Sequence, residues 1–134
     1  MRWLLPPLCW TGLIAYFGSG GWGGDETSAW FVPILSALLP GISPEVVQAA
    51  HVLVRKAAHV FEYAVLAILW RRALGGTWSA LALSVLTASL DELRQSFLPT
   101  RTGSVFDVLL DGTAAAAALL VVSALCVRPR KPAS

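Results

Sequence analysis

Arg55-Lys56-Ala57-Ala58-His59-Val60-Phe61-Glu62-Tyr63 opens an apolar run that continues as Ala64-Val65-Leu66-Ala67-Ile68-Leu69-Trp70. At ~3.6 residues per turn, Arg55, His59, Glu62 and Leu66 fall on one stripe of a helix. An ionisable group costs ~2.5 kcal/mol or more at the centre of a lipid-facing helix. Three such groups on one stripe predict that this face looks into protein or water.

The composition makes those charges unusual. The chain has 134 residues, of which 56% are hydrophobic and 13% charged, and its mean hydropathy is +0.66. A soluble surface needs about a quarter of residues charged. The length suits one domain, or about four membrane spans of ~20 residues with short connections. The expected fold is all-α: an integral membrane four-helix bundle forming a single domain over 1–134, with spans near 3–18, 57–74, 78–98 and 104–127. Cys9 and Cys126 lie in apolar runs at opposite ends. They read as two inert buried thiols rather than a disulfide, and no metal-type cysteine pair exists.

The first run, Trp3 to Phe17, follows Arg2. Its outline resembles a signal peptide, but Gly18-Ser19-Gly20-Gly21 lacks the usual small-x-small cleavage pattern ending in Ala, so a retained, slightly short helix is expected. Pro6 and Pro7 suit a first turn, where missing amides cost little. After a glycine-rich break, Ser28 to Leu39 is apolar, too short to span, and interrupted by Pro33. It reads as a short interfacial helix in the first extracytoplasmic loop, with Trp22 and Trp30 at headgroup level. Ser43-Pro44-Glu45 then starts a helix that runs into the second span, with Ser43 as N-cap and Pro44 first. Gly75-Gly76 breaks the chain before the third span. Pro99 to Gly103 forms a turn, and Ser104 caps the fourth span. The alanine run Ala114 to Ala118 gives a thin surface that lets neighbours approach closely.

Orientation follows from the basic residues. With a cytoplasmic N-terminus, Arg2, Arg71, Arg72, Arg128, Arg130 and Lys131 all lie inside, as the positive-inside tendency requires. Arg55, Lys56, Arg94 and Arg101 lie outside. Both termini are then cytoplasmic in a bacterial inner membrane. Glu62 sits roughly 10 Å below the outer boundary, seven residues past Arg55 at ~1.5 Å each. Asp91 reaches a similar depth from the end of the third span, and Asp107 and Asp111 lie just below Ser104. His59, Glu62, Asp91, Glu92, Gln95, Asp107 and Asp111 therefore share the outer half, where spans two, three and four are expected to enclose a polar cavity.

Three motifs carry this convergence: Arg55-Lys56-x-x-His59-x-x-Glu62-Tyr63, Asp91-Glu92-x-x-Gln95, and Arg101-x-Gly103-x-x-x-Asp107 followed by Asp111. In this order, with apolar spacers, they resemble the VanZ-like family of small bacterial membrane proteins over about Arg55 to Leu120. The N-terminal third resembles it only in layout. Asp111 stands where many members carry Asn. The resemblance implies an envelope protein, and the family's namesake is linked to low-level resistance to the glycopeptide teicoplanin. No reaction is attached to the family as a whole.

Each motif has a structural and a functional reading. Arg55, Lys56, His59 and Glu62 form either an ion-paired brace or a headgroup site. In the second case the two cations bind an anion and His59 or Glu62 carries protons. Asp91 or Glu92 is either the counter-ion of Arg55, Lys56 or Arg101, or part of that chemistry. Candidate catalytic groups are thus His59, Glu62, Asp91 and Glu92. Candidate substrate-binding groups are Arg55, Lys56, Tyr63, Gln95, Arg101, Asp107 and Asp111. A divalent ion is chemically admissible to His59, Glu62, Asp91, Glu92 and Asp107. With one histidine in the cluster and no HExxH, however, no metal ligand is assigned and no cofactor is expected. No nucleophile elbow, P-loop, dinucleotide fingerprint or nucleic-acid patch is present. The expected partner is a membrane lipid or lipid-linked envelope precursor, and whether the protein is an enzyme stays open. The competing expectation is a non-catalytic membrane scaffold whose charges are structural.

Overall fold

A computed structural model describes residues 3–19, 24–98 and 103–126. Trp22, Arg101 and the basic residues Arg2, Arg128, Arg130 and Lys131 lie outside that set. The described residues form five helices and no strand: α1 (Leu5–Phe17), α2 (Gly24–Leu38), α3 (Pro44–Leu74), α4 (Thr77–Gln95) and α5 (Val105–Leu125). Of these, α5 is both long and apolar enough to cross a membrane, with 21 residues at a mean hydropathy of 2.1. The ionisable groups on α3 and α4 hold those two helices below that standard.

The local starts and stops follow the sequence chemistry. Ser43 is the N-cap of α3, its hydroxyl accepts from the Val46 amide, and Pro44 opens the helix. Gly75 ends α3 at φ 72°, a left-handed value that glycine adopts without a Cβ penalty, with Arg71 and Arg72 in the last turn. α3 has 31 residues, roughly 46 Å at 1.5 Å each. Its first turns therefore stand beyond any ~30 Å apolar layer crossed by the rest. α2 starts four residues before the apolar run and accommodates Pro33 within it.

α3, α4 and α5 pack as the central trio, with α3 and α5 parallel and α4 antiparallel to both. Lys56 meets Asp107, His59 meets Asp111, and Arg71 donates to the Leu119 carbonyl, in step along both helices. Small residues permit the close approach. Ala67, Ala80 and Ala115 are fully buried with Leu119, and a Cβ on Gly112 would sit 3.3 Å from Val85. Ile14, Tyr63, Leu66 and Ala88 form a second core nearer the polar end. α1 lies along α3, where the Trp10 indole donates to the Glu62 carbonyl at 2.9 Å and Arg72 stacks over Trp3 at 4.9 Å.

Polarity is inverted relative to a water-soluble bundle. Leu5, Phe61, Leu86, Leu109 and Leu120 are exposed, while Ser84, Asp91, Glu92, Gln95 and Asp111 are buried. Hydroxyls outside the polar cluster close on their own helix: Ser84 on the Ala80 carbonyl, Thr87 on Leu83, Ser89 on Val85, Thr113 on Leu109. Such back-bonding lets a hydroxyl face an apolar medium. Cys9 and Cys126 are free and on the outside.

α2 docks on the first turns of α3 through Thr27 and His51, 2.9 Å apart, and Phe31 packs on the same imidazole. His51 is buried. Burial, then the Arg55 charge, hold its pKa below the ordinary histidine value. The folded state thus binds fewer protons here than the unfolded chain. The stabilisation is complete above the ordinary value of about 6.5 and is lost as pH falls below it. Protection factors of the α2 amides, with the intrinsic pH dependence of exchange divided out, are expected to fall between pH 7.5 and 5.5 in the native protein and to lose that fall in His51→Gln. A pH-independent α2 in the native chain would contradict this.

The turn into α5 rests on Gly103. A Cβ there would collide with the Glu92 carbonyl and lie 2.9 Å from the Ser96 Cβ. Both obstacles are fixed helix atoms, so Gly103→Ala is expected to cost about 1–3 kcal/mol. In a thermal melt it should lower Tm by several degrees, whereas Gly12→Ala, with open space around it, should not.

Candidate functional site

The polar residues gather at one end of the bundle: the outer turns of α3 and α5, the last turns of α4 and the end of α1. Arg55, His59 and Glu62 share the α3 stripe that the sequence spacing requires. With Ala58, Asp91 of α4, Ile14, Phe17 and Gly18 of α1 and Thr27 of α2, they line a cavity of about 300 Å³. The expected enclosure by three spans is therefore corrected. α1 and α2 form one side of this cavity, and α5 lies behind His59 rather than on the wall. A second hollow of about 390 Å³, between α4 and α5, is lined by Glu92, Ser96, Gly103 and Ser104.

The ion-pair map differs from the expected counter-ions of Asp91 and Glu92. Asp91 is held within its own helix, by Arg94 at 2.8 Å and by the Gln95 amide at 2.8 Å. The i,i+3 and i,i+4 spacing reaches these partners without bringing two helices into register, so it takes precedence over Arg55 or Lys56. The same Arg94 donates to the Ala15 carbonyl at 2.9 Å and so ties the C-terminal end of α1 to α4. Gly18 makes this possible: a Cβ there would lie 2.7 Å from the Arg94 guanidinium and 2.8 Å from the Asp91 carboxylate. Lys56 pairs with Asp107 at the rim. Lys56 is half exposed, so the pair contributes at most about 1 kcal/mol. Glu92 accepts from the Ser104 amide at 2.8 Å, which ties α4 to the start of α5. The Ser104 side chain makes no cap bond. Arg55 forms no ion pair with a carboxylate among the described residues.

His59 and Asp111 meet more loosely, with Nδ1 3.4 Å from Oδ2. That exceeds the ~2.7–2.9 Å of a charge-assisted hydrogen bond. Asp111 is buried and its second oxygen has no hydrogen-bond partner among the described residues. Tyr63 is also fully buried. Its ring stacks on His59 at 6.5 Å and 14°, and its hydroxyl has no such partner either. Tyr63 thus lies beside the His59 ring and does not line the cavity that holds Arg55, His59 and Glu62.

Of the groups suited to a divalent ion, the fold separates most. Asp91 is committed to Arg94 and Gln95, Asp107 faces Lys56, and Glu62 lines the cavity. His59 and Glu92 come together, and Asp111 joins them: one ligand atom from each lies within 4.8 Å of the others. The i,i+3 spacing of Asp91 and Arg94 points to their pair, whereas sequence reading missed the roles of Thr27 and Gly18 and the bond from Arg94 to α1. Gly18 at the end of α1 was a usable signal, since a helix terminus without a side chain allows close approach. Thr27 had none.

Comparison with known proteins gives one positive finding. No curated protein and no solved structure matches the chain. The family model described as VanZ/LLP1 matches residues 3–126. It extends well beyond the three motifs, through α1 and α2, the two helices that complete the cavity wall. With its motifs at one end of an all-α bundle and nearly its whole length matched, the chain belongs to the membrane-associated VanZ/LLP1 family.

Proposed function

We propose that the protein is an envelope membrane protein that binds, and in an enzymatic version modifies, a lipid-linked or phosphorylated headgroup. In this reading α1, α3, α4 and α5 form a four-span bundle in the bacterial inner membrane, with both termini cytoplasmic and the polar end outside. α2 lies in the outer interface. The inverted polarity supports the bilayer setting, since exposed leucines and buried carboxylates suit lipid better than water. Engagement of an envelope precursor would be the route by which such a protein alters teicoplanin-type susceptibility.

The observation that carries the headgroup reading is the cavity holding Arg55, His59 and Glu62 together. Arg55 has no carboxylate partner among the described residues, so its guanidinium is available to a phosphate, which it matches in bidentate geometry. His59 and Glu62 stand beside it as proton carriers. Its volume of about 300 Å³ is at the small end of ligand sites and suits a headgroup rather than a whole lipid. Arg101, adjacent in sequence to the Gly103 turn, is proposed as a second anion contact.

The test uses lipid nanodiscs that carry the purified protein. A phosphomonoester lipid, phosphatidic acid, should bind in preference to phosphatidylcholine. Arg55→Gln should weaken that binding about tenfold or more, worth ~1.4 kcal/mol, with Tm unchanged. No preference for the phosphomonoester would sink the reading. The scaffold alternative makes the opposite demand of Glu62. As a structural counter-ion, its change to Gln would cost about 3–5 kcal/mol and lower Tm sharply. Under the headgroup reading, the melting temperature of Glu62→Gln holds.

A further inference from the structure

The loosely met His59–Asp111 pair belongs to a larger arrangement. His59 from α3, Glu92 from α4 and Asp111 from α5 bring one imidazole nitrogen and two carboxylate oxygens within 4.8 Å of one another. Ligands around one first-row ion, each ~2.0–2.2 Å from it, stand roughly 3–4 Å apart. The three groups need to close by well under 1 Å each. We propose that these three residues form a binding site for one divalent transition-metal ion of the Mn²⁺ or Zn²⁺ class.

Two observations outside the spacing point to a ligand. The Asp111 side chain is 1% exposed and one of its oxygens has no hydrogen-bond partner among the described residues. Leaving a buried carboxylate oxygen unmet is costly, and a cation satisfies it. The Tyr63 hydroxyl, also fully buried and unpartnered among the described residues, lies within electrostatic reach of Asp111 and Glu92.

Charge favours the same conclusion. Protonated His59 neutralises one of the two carboxylates, whereas a divalent ion with neutral His59 neutralises both, which an apolar bundle demands. The mixed nitrogen and oxygen set suits Mn²⁺ or Zn²⁺ better than an all-oxygen Ca²⁺ site. The outer contacts orient the ligands: the Ser104 amide holds one Glu92 oxygen, and Tyr63 stacks on the imidazole. Three protein ligands leave positions open, and His59 lies on the wall of the Arg55–Glu62 cavity, so these positions adjoin Arg55 and Glu62. The ion site goes beyond the headgroup reading and stands without it.

The test is titration of chelator-treated full-length protein in detergent with Mn²⁺, Zn²⁺ and Mg²⁺ alone, by calorimetry and thermal melt. One equivalent of Mn²⁺ or Zn²⁺ should bind more tightly than Mg²⁺ and raise Tm. Asp111→Asn and Glu92→Gln should each weaken binding at least ~10-fold, while Glu45→Gln, exposed at the start of α3, should not. Unchanged affinity in both cluster variants, tighter Mg²⁺ or no stoichiometric uptake would overturn the proposal. Co²⁺ substitution in the native protein needs no variant. An intense visible band of four- or five-coordinate Co²⁺ supports the site, and the absence of any stoichiometric Co²⁺ uptake overturns it. Metal uptake without headgroup binding would leave this site standing and remove only the headgroup reading.

Discussion

Burial of carboxylates in an apolar bundle is the constraint on which the rest of this structure depends. Asp91, Glu92 and Asp111 lie among helices whose outer faces carry leucine, phenylalanine and valine. Each must be met by a donor, a cation or a proton, because unmet charge in such surroundings costs several kcal/mol. Several helix contacts at the polar end answer that demand. Arg94 and Gln95 meet Asp91, and Arg94 then reaches the α1 backbone. The Ser104 amide meets Glu92 and thereby sets where α5 begins. The carboxylates therefore organise the bundle as well as any chemistry it performs.

The glycines belong to the same logic. Gly18 leaves room for the Arg94–Asp91 pair against the end of α1, and Gly103 lies against the end of α4, where a Cβ would collide with the Glu92 carbonyl. Both are positions where two backbones must come close enough to share polar partners. At the opposite end the requirement is different. Ala67, Ala80 and Ala115 pack without polar groups, and Arg71 and Arg72 reach out to a carbonyl and to the Trp3 ring. One end is organised by charge satisfaction and the other by close apolar packing.

At the proposed site, polar satisfaction is incomplete. Asp91 is fully occupied and reads as a brace, so the structural account suits it. Arg55, Asp111 and Tyr63 each have capacity that no described residue uses, and all three lie on or beside the His59 face of α3. A purely structural network in an apolar medium has every reason to close on itself. This one is open toward a cavity.

The sequence by itself determined the helical class, the starts and stops of α3 to α5, and the gathering of polar groups at one level. Each of these depends on local periodicity and capping: Arg55, His59 and Glu62 repeat at helical spacing, Ser43-Pro44 opens a helix, and Gly75 closes it. It also carried the family resemblance, because the three motifs are contiguous strings. The local spacing of Asp91 with Arg94 and Gln95 was also readable, but tertiary structure decided the pairs between helices. Lys56 meets Asp107 and His59 meets Asp111 because pairing between helices depends on rotation and relative height, which no single helix encodes. The same reason hid α1 and α2 in the cavity wall: Gly18 and Thr27 reach the site by how their helices dock, and docking is set by the surfaces of all five together.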